Sequence, residues 1–169
     1  IRIVHLKAHQ TSMIPKEIYH NLLFNIIVSI VFTLVVGMVF SPLLHLFQVP
    51  KDIFNLTYQF GLVILSVLTL TSTQMYIGTV LRVMNYAAIA TRITVISNLT
   101  NIILNAFVLF IIPDLVGNPV LAIAYATAIS RLLGCLLAFI ALLKIYRPKL
   151  HYFKINFKIL YQVSTLGIP

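Results

Sequence analysis

Hydrophobic residues gather into four runs along this chain, 21–46, 53–81, 93–113 and 119–143. At about 1.5 Å of rise per residue, helices of these lengths cross a hydrocarbon layer about 30 Å thick. The gaps between the first and second runs and between the third and fourth are short, the one containing Pro50 and the other flanked by Pro113 and Pro119, as turns between antiparallel helices should be. A mean hydropathy of +1.03 and 60% hydrophobic residues leave little material for a water-soluble domain. The pattern predicts an all-α integral membrane protein with four transmembrane helices. A fifth apolar segment, 159–169, is too short to span a bilayer and reads as the start of a further helix. Together with an opening Ile1 in place of Met, it gives the expectation of a piece of a longer chain. The competing reading of this tail is an interfacial amphipathic stretch, with Lys154 and Lys158 among Tyr152, Phe153, Phe157 and Tyr161.

Charge orients the predicted helices. Arg2, Lys7 and Lys16 precede the first run, Arg82 and Arg92 separate the second from the third, and Lys144, Arg147, Lys149, Lys154 and Lys158 follow the fourth. The alternate gaps hold only Lys51, beside Asp52, and Asp114. Lys and Arg concentrate in cytoplasmic loops, so the chain start, loop 82–92 and linker 144–158 are expected in the cytoplasm, in a multi-pass protein of the cell (plasma) membrane. This topology and the anionic lipids of the cytoplasmic leaflet account for the net charge of +9, so no nucleic-acid partner is expected.

Polar groups at membrane depth are costly and usually face protein or a wet cavity. The third run carries Thr94, Asn98, Asn101 and Asn105, whose spacings of four, three and four place them on one helical face. Interhelical hydrogen bonding and the lining of a substrate or cation site both explain such a stripe. The second run carries a softer stripe, Ser66, Thr69, Thr73 and Tyr76, whose members are candidates for lining a cavity. Hydroxyls in a helix also bond to their own backbone, which favours a packing role there. In the fourth run Ala122, Ala124, Ala126 and Ala128 permit close helix approach. Arg131 stands midway along that run, where an arginine costs at least about 2.5–3.5 kcal/mol on insertion scales. Backbone carbonyls, the asparagine stripe, an anionic substrate or a carboxylate on another helix are its possible partners.

No Asp or Glu occurs inside the four runs, so a group that titrates for proton coupling is expected elsewhere. Cys135 is the single cysteine and makes no internal disulfide. Metal-ligand clusters, a glycine-rich phosphate loop and a nucleophile–base pair are all missing from the sequence pattern, and Ser41, Ser72, Ser97 and Ser130 have no nearby His–Asp constellation. Neither an enzyme nor a cofactor is expected.

Three stretches, in order, resemble the multidrug and toxic compound extrusion (MATE) family. They are Gly78-Thr-Val-Leu-Arg82-Val-Met-Asn85, then Arg92-Ile-Thr-Val-Ile-Ser-Asn98-Leu-Thr-Asn101-Ile-Ile-Leu-Asn105, then Ala122-Ile-Ala-Tyr-Ala-Thr127-Ala-Ile-Ser130-Arg131-Leu-Leu-Gly134. The resemblance implies that the four runs are helices three to six of a six-helix lobe, that 144–158 is the bridge between lobes, and that 159–169 enters the second lobe. It implies an antiporter exporting organic, often cationic, compounds in exchange for Na⁺ or H⁺, with the bilayer, a small organic substrate and the remaining helices as partners. It also implies a first-lobe cation site to which Asn101, Asn105 and Thr127 correspond. Two departures stand out: Asn105 replaces an acidic residue, and Asn85-Tyr86-Ala87 replaces a Gly-Asp-Thr turn. An amide coordinates Na⁺ but does not release a proton at physiological pH. Two alternatives remain. One is a lipid-linked oligosaccharide flippase of the same superfamily, whose anionic headgroup would suit Arg131. The other is a small membrane subunit that transports nothing.

Overall fold

The computed structural model of the chain describes residues 14–111 and 117–147. Five helices account for nearly all of them: α1 (Ile14–Leu46), α2 (Lys51–Ser66), α3 (Leu68–Val83), α4 (Ala87–Phe110) and α5 (Pro119–Ile145). The second apolar run is thus two helices of 16 residues each, stacked end to end, and the bundle has four helical spans long and apolar enough to cross a membrane. The expected linker beyond Arg147, the segment 159–169 and Asp114 lie outside the described residues.

Several boundaries differ from the hydropathy pattern. The first helix already includes Ile14, Pro15 and Glu17, ahead of the expected start at 21. Ile14, Ile18 and Leu22 then form one buried stripe at a spacing of four. The third span likewise starts at Ala87 rather than at 93 and buries Ala90 and Ile93. At its far end α4 stops at Phe110, short of 113. α5 opens with Asn118 as N-cap, its side-chain oxygen accepting from the Val120 amide at 3.0 Å, with Pro119 in the first turn.

The break inside the second run falls at Val67, whose amide bonds to the Ile64 carbonyl, three residues back, at 3.3 Å. No proline or glycine sits there. Instead, Ser66 Oγ donates to the Val63 carbonyl at 2.6 Å and Thr71 Oγ1 to the Val67 carbonyl at 3.1 Å. Hydroxyls that compete for helix carbonyls on both sides of one residue bend a helix without help from proline.

The turns after α1 and after α3 use the same device. After α3, Asn85 takes a left-handed φ of 68°, the Tyr86 amide reaches the Leu81 carbonyl at 2.8 Å and the Asn85 amide reaches Arg82 at 3.2 Å. After α1, Gln48 takes φ 53°, Val49 reaches Leu44 at 3.1 Å and Gln48 reaches His45 at 3.0 Å. These paired bonds define a Schellman cap, which prefers glycine at its left-handed residue and tolerates asparagine. Asn85 therefore performs the turn that the departure from Gly-Asp-Thr left unexplained.

α5 is the hub and packs against α2, α3 and α4, while α1 packs along α2 and α3. Lys16, Arg82, Arg92, Lys144 and Arg147 all lie at one end of the bundle, here called the basic end. The apolar core sits there: Ile14, Ile18, Leu22, Ile77, Leu81, Ala138 and Leu142 interlock across α1, α3 and α5. Tyr76 Oη donates to the Ile18 carbonyl at 3.0 Å and Tyr19 Oη donates to the Tyr146 carbonyl, tying α1 to α3 and to the end of α5. Burial, and then Tyr86, push the Tyr146 phenol above its ordinary range.

The opposite end is open. Along α1, Met38 is 78% exposed, and α2 has no buried residue at all. What holds α1 to α2 is aromatic contact: Phe40 lies directly over Gly61 and stacks on Tyr58 at 5.9 Å, and His45 meets Phe54 at 4.5 Å. Any side chain at Gly61 would displace the Phe40 ring.

Candidate cation and substrate site

Midway along the bundle, polar side chains of α4 and α5 meet in a single seam. Asn101 Nδ2 donates to both Thr127 Oγ1 and Ser130 Oγ at 3.1 Å. Asn105 Nδ2 donates to Asn101 Oδ1 at 3.3 Å, one turn along α4. Thr127 Oγ1 and Ser130 Oγ donate in turn to the carbonyls of Ile123 and Thr127. Ser97 Oγ, buried, donates to the Ser130 carbonyl at 2.9 Å. Every hydroxyl proton in the seam is spent on a carbonyl, which leaves hydroxyl lone pairs turned toward the asparagines. The small residues of α5 make this approach possible: Ala124 and Ala126 are buried against the neighbouring helices, with Ala122 and Ala128 half-buried beside them.

One acceptor is left over. Asn105 Oδ1 is shielded from solvent and has no hydrogen-bond partner among the described residues. A buried carbonyl oxygen without a donor costs about 1–3 kcal/mol, so it marks a place where a ligand or water regains energy on arrival. Amide and hydroxyl oxygens at this spacing suit a monovalent cation and provide no acid group. Among the described residues no group of three His, Cys, Asp or Glu side chains comes together.

The predicted stripe on α4 is only partly assembled. Asn101 and Asn105 enter the α4–α5 interface, while Asn98 and Thr94 point away from it and are exposed, Thr94 Oγ1 bonding back to the Ala90 carbonyl at 3.1 Å. The interface stripe is Ala90, Ile93, Ser97 and Asn101, in which Ile93 and Ser97 take the places that the polar pattern gives to Thr94 and Asn98. Arg131 is half-buried next to Ser130 and has neither a hydrogen bond nor an ion pair among the described residues. Glu17 and Asp52 are the described carboxylates, and both sit in first turns at helix ends far along the chain from it.

The softer stripe does not line one cavity. The break at Val67 separates Ser66, which is exposed and bonded to its own helix, from Thr69, Thr73 and Tyr76. Thr73 is buried and Thr69 half-buried. Only Tyr76 borders the open groove of about 380 Å³ between α1 and α3, whose other polar lining is Asn25, Thr71, Ser72 and Thr79. Asn25 Nδ2 and Ser72 Oγ close one side of that groove at 3.1 Å.

Three residues that the polar pattern passed over belong to the seam: Ser97, Ser130 and Gln74. Gln74 of α3 is only 8% exposed, and its amide lies over Gly134 of α5 beside Ser97. A Cβ at position 134 would stand 2.6 Å from both Gln74 Oε1 and Ser97 Oγ, so glycine is required there. The signal for Gln74 was its register: it precedes the buried Ile77 and Leu81 by three and seven residues, a polar group on the apolar face of its helix.

With this geometry in view, comparison with known families gives one result: the MatE family model matches residues 6–107, from the entry of α1 to the Asn101–Asn105 turn of α4. No curated protein and no solved structure matches the chain. The matched span covers more than half of the chain, and the chain belongs to the MatE family of membrane transporters.

Proposed function

We propose that, as part of a MatE transporter, this chain contributes the cation-binding half of a secondary exporter that moves organic, often cationic, compounds across the cell membrane in exchange for Na⁺. The supporting observation is the seam of Asn101, Asn105, Thr127 and Ser130, with its unpartnered Asn105 oxygen, in the middle of a membrane-spanning bundle. Neutral oxygen ligands hold Na⁺ by ion–dipole attraction and lose nothing as pH changes. H⁺ exchange needs a titrating group, and the seam contains none. Binding energy from the cation would favour the conformation in which the seam is closed around it, and alternating access follows from rocking of this bundle against the rest of the transporter. In that arrangement the basic end faces the cytoplasm.

The test is efflux of a fluorescent organic cation by the full-length transporter in proteoliposomes under an imposed Na⁺ gradient. Replacing Asn101 by Ala is expected to slow Na⁺-driven efflux at least about tenfold, the equivalent of about 1.4 kcal/mol of lost coupling. Asn105→Asp restores a carboxylate: efflux should then persist at neutral pH and fall as pH drops through its pKa, because the protonated acid no longer attracts the cation. Efflux indifferent to both Na⁺ and Asn101 would overturn the proposal.

Arg131 favours a second reading. A half-buried guanidinium at mid-span without a described partner suits an anionic headgroup, as in a flippase of lipid-linked sugars. Translocation of a polyprenyl-phosphate sugar that is lost in Arg131→Gln, with no efflux of organic cations by either form, would establish that reading instead.

A further inference from the structure

The seam has two ends, and each carries a buried oxygen without a donor. Asn105 Oδ1 is at one end and Gln74 Oε1 at the other, nearer the basic end. Between them runs a continuous set of contacts from Asn105 to Asn101, to Ser130 and to Ser97, which shares the Gly134 notch with Gln74. From Asn105 back to Ser97 is eight residues of α4, or about 12 Å along the helix axis.

Gln74 is not explained by packing. Its side chain is more than nine-tenths buried, and its Oε1 is fully shielded with no hydrogen bond among the described residues. Helix α3 presents Ile77, Val80 and Leu81 on the same buried side, and an apolar residue at 74 would continue that face at no desolvation cost. Close by, Ser97 Oγ has given its proton to the Ser130 carbonyl and keeps its lone pairs. Gln74 Oε1 and Ser97 Oγ each lie 2.6 Å, and Gln74 Nε2 2.7 Å, from the point where a Cβ of residue 134 would stand, so the carboxamide rests on the glycine and brings its oxygen close to Ser97.

We infer that Gln74, Ser97 and the Gly134 notch form a second oxygen site for a monovalent cation, one that receives the ion from Asn101 and Asn105 on its way toward the basic end. The inference rests on the cation-coupled reading above. Two stations of neutral oxygen, about 12 Å apart and joined by hydroxyls, let an ion shed one set of ligands as it gains the next. Beyond Gln74 the track ends at Ile77, Leu81, Ala138 and Leu142, which close the basic end. Release past them therefore requires the bundle to open there, which gives the second site a role as the waiting position before that opening.

The experiment uses the full-length transporter and measures Na⁺-dependent thermal stabilisation alongside Na⁺-driven efflux of a cationic dye. Gln74→Met keeps volume and removes the oxygen; Gln74→Glu keeps an oxygen and adds charge. Expected for Gln74→Met is Na⁺ stabilisation within about twofold of the parent midpoint, because the Asn101 station remains, with efflux slowed at least about tenfold. Gln74→Glu should recover efflux at neutral pH and lose it as pH falls through the pKa of the new carboxyl group. Efflux by Gln74→Met at the parental rate overturns the site, as does failure of both variants to fold, which would make Gln74 structural. Loss of Na⁺ response in Asn101→Ala combined with normal efflux in Gln74→Met removes the second site alone. Indifference of both variants and of the parent to Na⁺ removes the parent reading.

Discussion

The basic end and the polar seam hold the same helices together by opposite means. At the basic end, Ile14, Ile18, Ile77, Leu81 and Leu142 are almost entirely withdrawn from their surroundings, with the buried side chains of Glu17 and His20 on the same turns of α1. In the seam, α4 and α5 are joined by Asn101, Thr127, Ser130 and Ser97 through directed bonds of 2.9–3.1 Å. Lipid is as apolar as leucine, so the interlocked end gains from close packing rather than from escape from water, and that gain disappears once a void opens. Directed bonds keep partners in register but have few alternatives when broken. The first arrangement suits a surface that opens and closes as a block; the second suits a place where a ligand exchanges with bonds already present.

That contrast predicts where stability and transport separate. Leu142→Ala leaves a void among Ile18, Leu81 and Ala138 and should destabilise the full-length protein by about 2–5 kcal/mol, read as a lower melting temperature in detergent. The cation response of the protein that remains folded should be unchanged. Gly134→Ala comes next. Its methyl group would stand 2.6 Å from Gln74 and Ser97, which have to move, at a cost of about 1–3 kcal/mol. Because the displaced groups belong to the seam, this variant should also slow Na⁺-driven efflux. If Leu142→Ala abolishes the Na⁺ response, or Gly134→Ala leaves efflux at the parental rate, the division between the two regions is wrong.

Asn101→Leu has the reverse signature. It removes three hydrogen bonds, each contributing about 0.6–2 kcal/mol in membrane bundles, and replaces them with good apolar packing against α5. The net change in melting temperature should be small, below that of Leu142→Ala, while Na⁺ stabilisation is lost. A large fall in stability would mean that the seam is mainly a structural fastener.

Much of this division is legible in the sequence, and the failures share one cause. Hydropathy reads out the four spans because any 20 apolar residues in a row have one stable way to exist at membrane depth. Asn101, Asn105 and Thr127 stand out as amides and a hydroxyl on otherwise apolar helices, and the structure places them within one cluster with Ser130. Polarity alone, however, does not say which face of a helix meets a neighbour. Asn98 is the more polar choice, yet the less conspicuous Ser97 is buried and Asn98 is exposed. The buried face of α4 is marked by Ala90 and Ile93, apolar residues that look like any other in a membrane helix. Gln74 hides for the same reason within the face of Ile77 and Leu81. The break at Val67 has no glycine or proline to announce it and depends on where two hydroxyls, Ser66 and Thr71, turn their protons.

The smallest effect tests the open end. Gln48 closes α1 in a left-handed conformation, φ 53°, that costs a residue with a side chain about 1–2 kcal/mol per position. Gln48→Gly removes that strain but also gives the unfolded turn more freedom, so the net gain should be about 0.5–1 kcal/mol, seen as a modest rise in melting temperature. Asn85→Gly, at the equivalent cap of α3, should gain less, because asparagine already tolerates φ 68°. The two caps share one geometry and differ in the capping residue and in their surroundings. Asn85 leads into the packed basic end, where Tyr86 and Leu81 fix the cap. Gln48 lies between Phe47 and Val49 at the loosely held tip of the α1–α2 hairpin, where Phe47 is 73% exposed. A gain at Gln48 that leaves efflux unchanged would mean that the hairpin tip only closes the chain. A gain accompanied by slower efflux would mean that its looseness is used, with the α1–α2 hairpin moving while the basic end stays shut.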